Sequence, residues 1–195
     1  MGNQKKSYER ITSPKGKAMY PFLSKPDTKF DSDGVYRLNL IVSGEEGSDF
    51  VSNLMAQHEK HYDEYCEKEG SAVKKGSVPV KPVTDEDGME TGDWEIKFKL
   101  KAMGKSKDRS WEQRPIVYDS KATPIATDTL DGMNIGNGSE CKVAFEVVPY
   151  YTGMAGMGLS LRLRAVQIID LVEYAPSNDF AEEDGFVVET ETSDF

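Results

Sequence analysis

Cysteine and histidine are scarce in this sequence, which has two of each among 195 residues. Cys66 and Cys141 lie far apart, so they offer neither a disulfide framework nor the CxxC spacing typical of zinc sites. His58 and His61 do not have the HExxH spacing of metalloproteases. These absences exclude the common zinc sites, leave no Cys/His or Ser/His/Asp set with a recognisable spacing, and favour a reducing, intracellular setting.

Long apolar runs are missing as well. No stretch approaches the roughly 20 apolar residues that a membrane-spanning helix needs, and the first residues have no apolar signal core. We therefore expect no membrane partner for this chain.

Candidate catalytic groups are few. The acidic group Asp85, Glu86 and Asp87 has no second acidic strand position with which to complete a Mg²⁺ site. The glycines of GMAGMG, residues 153–158, lack the Lys and Ser/Thr of a phosphate loop and indicate a hairpin turn instead. We expect no catalytic residue, no metal and no cofactor. A metal-dependent nuclease is kept as the third-ranked function, after two non-enzymatic ones.

Lysine and arginine are absent from residues 177–195, which end on Phe195. The acids of this segment are Asp179, Glu182, Glu183, Asp184, Glu189, Glu191 and Asp194. Since the chain has 34 acids and 24 bases, removing these seven leaves 27 acids, and the net charge of -10 becomes -3. The rest of the chain is therefore compatible with a polyanionic ligand. We expect one folded domain at residues 1–175 and a flexible acidic tail at 176–195.

Hydrophobic periodicity predicts a mainly β chain. Strict alternation indicates strands at residues 35–42, where Tyr36, Leu38 and Leu40 share a face, and at 94–100, where Trp94 begins the apolar face. Further strands are predicted within residues 114–120, 139–151 and 158–174.

One strong helix is predicted at residues 48–70. Its apolar side chains recur at steps of three and four, Ser48 is a candidate N-cap, and Gly70 is a candidate C′ residue. Residues 71–92 have little periodicity and are predicted to form a long loop. About five strands with one helix favour a small antiparallel barrel or sandwich, and they are compatible with an OB-fold.

Two stretches combine basic and aromatic side chains. Residues 1–42 hold eight bases against four acids, and residues 93–124 hold eight against five. Single-stranded nucleic acid favours this mixture, because cations neutralise phosphates and aromatic faces stack on unpaired bases at roughly 1–3 kcal/mol per base. The predicted nucleic-acid contacts are Lys15, Lys17, Tyr20, Phe22, Lys25, Lys29, Lys97, Lys99, Lys101, Lys107, Arg109, Trp111 and Arg114.

Trp111 is the strongest single candidate for stacking, because it lies in a polar segment, predicted to be a loop, where no apolar periodicity requires a core residue. A partner-facing role for Trp111 stays open. Trp94 alternates with core positions and is predicted to pack inside. Tyr20 and Phe22 are two residues apart and would point the same way along a strand, so both would pack or both would stack. Lysines 97, 99 and 101 would form either a groove floor or a solvated strand face.

The segment TSPKGKAMYPFLSKPDTKF, residues 12–30, and the ending TSDF resemble the single-stranded DNA-binding proteins of tailed bacteriophages of the T7 type. The resemblance implies an OB-fold core with an acidic tail, sequence-independent binding of single-stranded DNA, and a role in phage DNA replication and recombination in the cytoplasm of the infected bacterial host. It also implies that Asp194 and Phe195 dock replication or recombination proteins. A homo-oligomer and a preference for DNA over RNA stay open.

The tail suggests a hypothesis for regulation. A flexible run of this length has a reach of about 24 Å, and its effective concentration at a groove of its own domain would be on the order of millimolar. The tail would then compete with DNA phosphates for the groove. Two readings stay open beside this one: a purely solubilising tail, and a β-rich virion structural or adaptor protein whose body binds no nucleic acid.

Overall fold

The structure is a computed structural model that describes residues 8–174. Between these limits the chain forms ten strands and two helices. The strands are β1 (Arg10–Thr12), β2 (Gly16–Asp27), β3 (Val35–Val42), β4 (Val80–Thr84), β5 (Glu90–Lys101), β6 (Met103–Lys105), β7 (Ser110–Glu112), β8 (Ile116–Tyr118), β9 (Glu140–Thr152) and β10 (Gly156–Asp170), and the helices are α1 (Gly44–Glu69) and α2 (Thr127–Gly132).

Five of these strands close into a barrel. β2 pairs with β3, β3 with β5, β10 with β9, and β9 with β2, all antiparallel, while β5 and β10 are parallel neighbours. A five-stranded barrel of this kind is the OB architecture, so the predicted mainly β, OB-fold-like class is confirmed. α1 connects the second barrel strand to the segment that precedes the third, and β6, β7, β8 and α2 lie between the third and the fourth.

Alternation along the strands builds the barrel core as the sequence predicts. Leu38 and Leu40 on β3 and Ile96 and Phe98 on β5 are fully buried, and Phe145 on β9 meets Phe98 with ring centroids 5.0 Å apart. Their alternate neighbours on β3 and β5 face outward, since a strand turns successive side chains to opposite faces. The inward positions thus exclude water, and the outward positions are free to bind a ligand.

Helix α1 packs on this core through one face. Val51, Leu54 and His58 are buried, and His58 Nε2 lies 2.8 Å from the carbonyl oxygen of Met157. The helix ends at Glu69, and the φ of 68° at the next residue, Gly70, confirms the predicted left-handed terminus. Its predicted start was wrong, because the helix begins four residues before Ser48, at Gly44, with Ser43 in the N-cap position.

The predicted loop at residues 71–92 was wrong in part. It contains all of β4 and the first residues of β5, which form an antiparallel pair. β4 has the sequence VKPVT and pairs with β5 in the described sheet, so its short, proline-containing run gives little alternation to detect. The residues just before β4 are also hydrogen-bonded to the barrel. The carbonyls of Ser77 and Pro79 accept hydrogen bonds from the N–H groups of Leu159 and Lys97, respectively.

The remaining predicted strands are confirmed. β8 falls within residues 114–120, and β9 and β10 form a long hairpin whose turn is the glycine-rich segment between Thr152 and Gly156. Trp94 is half-buried and packs against the core, as predicted. Within residues 8–174 no helix combines the length and apolar character that crossing a bilayer requires.

Candidate nucleic-acid interface

A large groove runs over the outer surface of β5, β9 and β10 and is flanked by the β6–β7 hairpin. Its volume is about 1320 Å³. Six cationic side chains line it, against the acids Asp31 and Glu146. The six are Lys99, Lys101, Lys105, Arg109, Arg162 and Arg164. An open, cationic groove of this kind suits an extended polyanion better than a small compact ligand.

The cross-strand register places basic residues in a row. Arg37 on β3 is opposite Lys99 on β5, and Lys99 is the register partner of Arg162 on β10. We name Arg37, Lys99 and Arg162 the basic row. Phe22 on β2 extends the row at one end and Glu146 on β9 at the other. Because adjacent strands lie about 4.8 Å apart, the three cations cross the sheet within roughly 10 Å.

A small groove adjoins the large one and shares Lys99 and Ser160 with it. Its volume is about 560 Å³. Lys97 and Tyr150 also line it, so an aromatic ring lies close to the same cations. Together the two grooves form a continuous outer surface centred on Lys99.

Trp111 lies on β7, in the two-stranded sheet that β6 and β7 form. The prediction of a loop here was wrong, because a three-residue strand with exposed side chains has no apolar alternation to reveal it. The indole is 42% exposed, lines the large groove, and has the Arg109 guanidinium 5.5 Å from its ring centroid. The exposed aromatic surface and the adjacent cation are the features that base stacking requires.

Two arginines of the basic row are held by an aromatic ring and a carboxylate each. Arg37 lies 4.8 Å from the ring centroid of Phe22 and forms an ion pair of 2.6 Å with Asp27. The hydrogen bond from the Lys29 amide, followed by the Arg37 contact, lowers the pKa of Asp27 below its ordinary value, so this carboxyl is ionised at neutral pH.

At the other end of the row, Arg162 lies 5.5 Å from the ring centroid of Tyr8. Its Nη1 is 3.3 Å from Oε2 of Glu146, and the same oxygen is 3.0 Å from Nη2 of Arg164. Glu146, which itself lines the large groove, thus holds both guanidiniums.

The predicted contacts divide between the grooves and the rest of the surface. Lys99, Lys101, Arg109 and Trp111 line the large groove, and Lys97 lines the small one. Lys107 is exposed in the turn between β6 and β7, beside the large groove. These residues lie close enough to act together on one ligand.

The other predicted basic residues lie elsewhere. Lys15 forms an ion pair of 3.2 Å with Glu140, and Lys17 has Glu140 as its register partner, so both lie beside the start of β9. Lys25 and Lys29 are exposed on β2 and the loop that follows it. Arg114 donates hydrogen bonds to the carbonyl of Ser24 and to Asp131, which places its guanidinium in a network between elements of the fold.

Tyr20 and Phe22 do not follow simple alternation. The β2–β3 register shifts between Met19 and Phe22, and Tyr20 has a φ of 51° with its N–H donating to Oδ1 of Asn137. Tyr20 is exposed, whereas Phe22 carries Arg37 over its ring. The two aromatics therefore have different environments.

Sequence reasoning missed Arg37, Arg162, Arg164 and Tyr8 as members of the site. A signal was present in the run LSLRLRA, where Arg162 and Arg164 alternate with leucines and so must share the outward face of a strand. Alternation cannot show which strand lies beside them, and this neighbour decides whether they join a groove. Asp194 and Phe195, predicted to dock partners, lie outside the described residues.

A sequence model of the family described as "Single-stranded DNA-binding protein, Bacteriophage T7" matches residues 15–171. The chain belongs to this family. The predicted resemblance is therefore confirmed, and the match covers every element from β2 to β10.

Individual relatives agree with the family match. The chain is 29% identical over 190 residues to the single-stranded DNA-binding protein of Escherichia phage T7, covering 86% of this chain and 80% of that protein. It is also 29% identical to that of Enterobacteria phage T3 over 191 residues, covering 89% and 79%.

Solved structures show the same fold. The crystal structure of the T7 protein has a TM-score of 0.72 and 26% identity, covering 94% of this chain and all of that one (100%). The single-stranded DNA-binding protein from bacteriophage Enc34, solved in complex with single-stranded DNA, has a TM-score of 0.60, covering 84% and 88%. At 17% identity this second likeness shows the fold alone.

Proposed function

We propose that this chain binds single-stranded DNA without sequence preference, along the large and small grooves. The observation that carries the proposal is the basic row, with Trp111 exposed at the edge of the same surface. Cations along the row neutralise phosphates, and the indole stacks on a base, which every nucleotide offers equally. The names of the T7 and T3 relatives, both single-stranded DNA-binding proteins, support this function.

The proposed interface takes in four of the other predicted contacts at its margins: Tyr20, Phe22, Lys25 and Lys29. In an OB-fold, ligands lie across the second and third barrel strands and against the loops that flank them. Here these strands are β3 and β5, which carry Arg37, Lys97 and Lys99 on their outer faces, and the loop between β2 and β3 carries Lys29. On β2, Phe22 is the register partner of Arg37, and Tyr20 and Lys25 are exposed on the same strand. There the three side chains would contact the flanking nucleotides.

The acidic tail is a second part of the proposal. Residues 176–195 would compete with DNA for the cationic grooves and, when released, would bring Asp194 and Phe195 to replication or recombination proteins in the host cytoplasm. Charge supports this assignment, since the segment has seven acids and no base while six cations line the large groove.

Titration of intact protein with poly-dT at a series of salt concentrations tests the proposed function. We expect quenching of tryptophan fluorescence and an affinity that falls linearly on a log–log plot, by about 0.7 per phosphate neutralised. Duplex DNA of equal phosphate content should bind more weakly, because its bases are not free to stack. A flat titration would favour the virion adaptor, and Mg²⁺-dependent cutting of the strand would favour the nuclease.

A further inference from the structure

Arg37 and Arg162 have the same three-part environment, although they come from strands far apart in sequence. Each guanidinium lies over an aromatic ring, Phe22 at 4.8 Å and Tyr8 at 5.5 Å from the centroid. Each also binds a carboxylate, Asp27 at 2.6 Å and Glu146 at 3.3 Å. A guanidinium in such an environment has part of its donor edge and one face occupied.

This occupancy limits what each arginine can do for a ligand. A phosphate binds the donor edge of a guanidinium, in the best case through two parallel hydrogen bonds. In both arginines a carboxylate already takes part of that edge, Asp27 at Arg37 and, at Arg162, Glu146, which is shared with Arg164. The face away from the aromatic ring remains, and guanidinium planes are surfaces on which unpaired bases stack.

Lys99 has the opposite character. It lies between the two arginines on the basic row, is exposed, and has no ion-pair partner among residues 8–174. An ammonium group without a carboxylate neighbour is a point charge available to phosphate. Along the row, Lys99 is thus a cation without a carboxylate partner in the described part of the chain, and it lies between two guanidinium planes that are each paired with a carboxylate.

We propose that Arg37 and Arg162 are two base-stacking sites, each backed by an aromatic ring and held by a carboxylate, and that Lys99 between them neutralises a backbone phosphate. The inference rests on the proposed function and assigns a separate role to each residue of the basic row. Asp27 and Glu146 are positioning residues, because they keep the guanidinium planes in place without contacting the DNA.

The test compares a dT oligonucleotide with an abasic oligonucleotide of equal length, which keeps every phosphate and lacks every base. Arg162→Lys and Arg37→Lys keep the charge and remove the plane. Each should weaken binding of dT roughly threefold to thirtyfold, the range of a cation–π contact, and leave the salt slope and the abasic affinity unchanged. Lys99→Gln should weaken both ligands by the same factor and reduce the salt slope by about 0.7.

Equal weakening of dT and abasic binding by Arg162→Lys would overturn the assignment, because it would identify Arg162 as a phosphate contact. Lys99→Arg, which keeps the charge, is the matched control and should leave the salt slope of both ligands unchanged. Urea midpoints equal to that of the unmodified protein establish that the variants are folded.

Glu146→Gln tests the positioning role. Removing an acid from the groove would by itself raise the affinity for both ligands, so the readout is the ratio of dT affinity to abasic affinity. We expect this ratio to fall, as in Arg162→Lys, and an unchanged ratio would contradict the positioning role. If the unmodified protein fails to bind dT, the proposed function itself is wrong; if it binds dT and the lysine variants leave its ratio unchanged, only the present inference is wrong.

Discussion

Trp111 packs directly on Gly104, its register partner across the β6–β7 hairpin. A Cβ atom at residue 104 would lie 2.5 Å from Cζ2 and Nε1 of the indole. Glycine is therefore required at this position for the ring to keep its place at the groove edge. Gly104, which has no side chain, thus allows Trp111 to occupy the position from which we propose that it stacks on DNA.

Replacing Gly104 with alanine should displace the indole and weaken binding of poly-dT about as much as Trp111→Ala does, by roughly 1–3 kcal/mol. Because both changes remove the same stacking contact, the double variant should lose little more than either single one. Gly132→Ala is the matched control, since nothing lies within 4 Å of a Cβ at that position. Additive losses measured by titration would contradict this coupling.

The two tryptophans should respond differently to DNA. Trp111 is exposed in the groove, whereas Trp94 is half-buried against the core. Fluorescence quenching by poly-dT should therefore be lost in Trp111→Phe and retained in Trp94→Phe. Retained quenching in Trp111→Phe would mean that the DNA binds away from Trp111.

Phe145 should dominate stability rather than binding. Its ring is fully buried on β9, with the centroids of Phe50 and Phe98 at 6.0 Å and 5.0 Å. Phe145→Ala should lower the free energy of unfolding by about 3–5 kcal/mol in urea denaturation. Phe30→Ala, at an 89% exposed side chain, should leave the urea midpoint nearly unchanged. A small effect at Phe145 would show that the core can collapse around the cavity.

The two cysteines should differ in reactivity. Burial raises the pKa of the Cys141 thiol to about 12, whereas Cys66 is partly exposed. At pH 8 the buried Cys141 thiol therefore stays protonated, so a thiol reagent should modify Cys66 alone in the native protein and both cysteines in denaturant.

The same pKa shift gives a sign for the pH dependence of stability. The unfolded Cys141 thiol ionises near pH 8.5, and the folded one near 12, so the unfolded state loses its proton first. This group therefore lowers the free energy of unfolding as the pH rises from about 9 to 12. Cys141→Ala should remove that contribution, so the free energy of unfolding should fall less between about pH 9 and 12 than in the unmodified protein. An equal fall in both proteins, measured by urea denaturation, would contradict the prediction.

Removal of residues 178–195 should raise the affinity for poly-dT at low salt, because the competing acids are gone, and the gain should shrink at moderate salt as screening increases. Deletion of Phe195 alone is the matched control, and it should leave DNA affinity unchanged because all seven acids remain. If the truncated and intact proteins bind equally at both salt concentrations, the tail does not compete for the groove.

Much of the fold could be predicted from periodicity. β3 and β5 alternate over their whole central length, and α1 repeats apolar residues at helical spacing, so burial of one face identifies each element. β4 and β7 could not be predicted, because short strands with mostly exposed or proline-containing sequences have no periodic face. Lys99, Arg109 and Trp111 could be nominated for the site from charge and aromatic content alone.

The sequence by itself determined which residues of β3 and the central part of β5 face outward and that seven acids without a base fall in residues 177–195. Only the tertiary structure decided that Arg37, Lys99 and Arg162 form one row, because they come from β3, β5 and β10 and meet through barrel closure. It also decided that Phe22 and Tyr8 back two arginines and that Gly104 supports Trp111. The physical reason is that alternation fixes the face of a strand, whereas packing of the shared core fixes its neighbours and register.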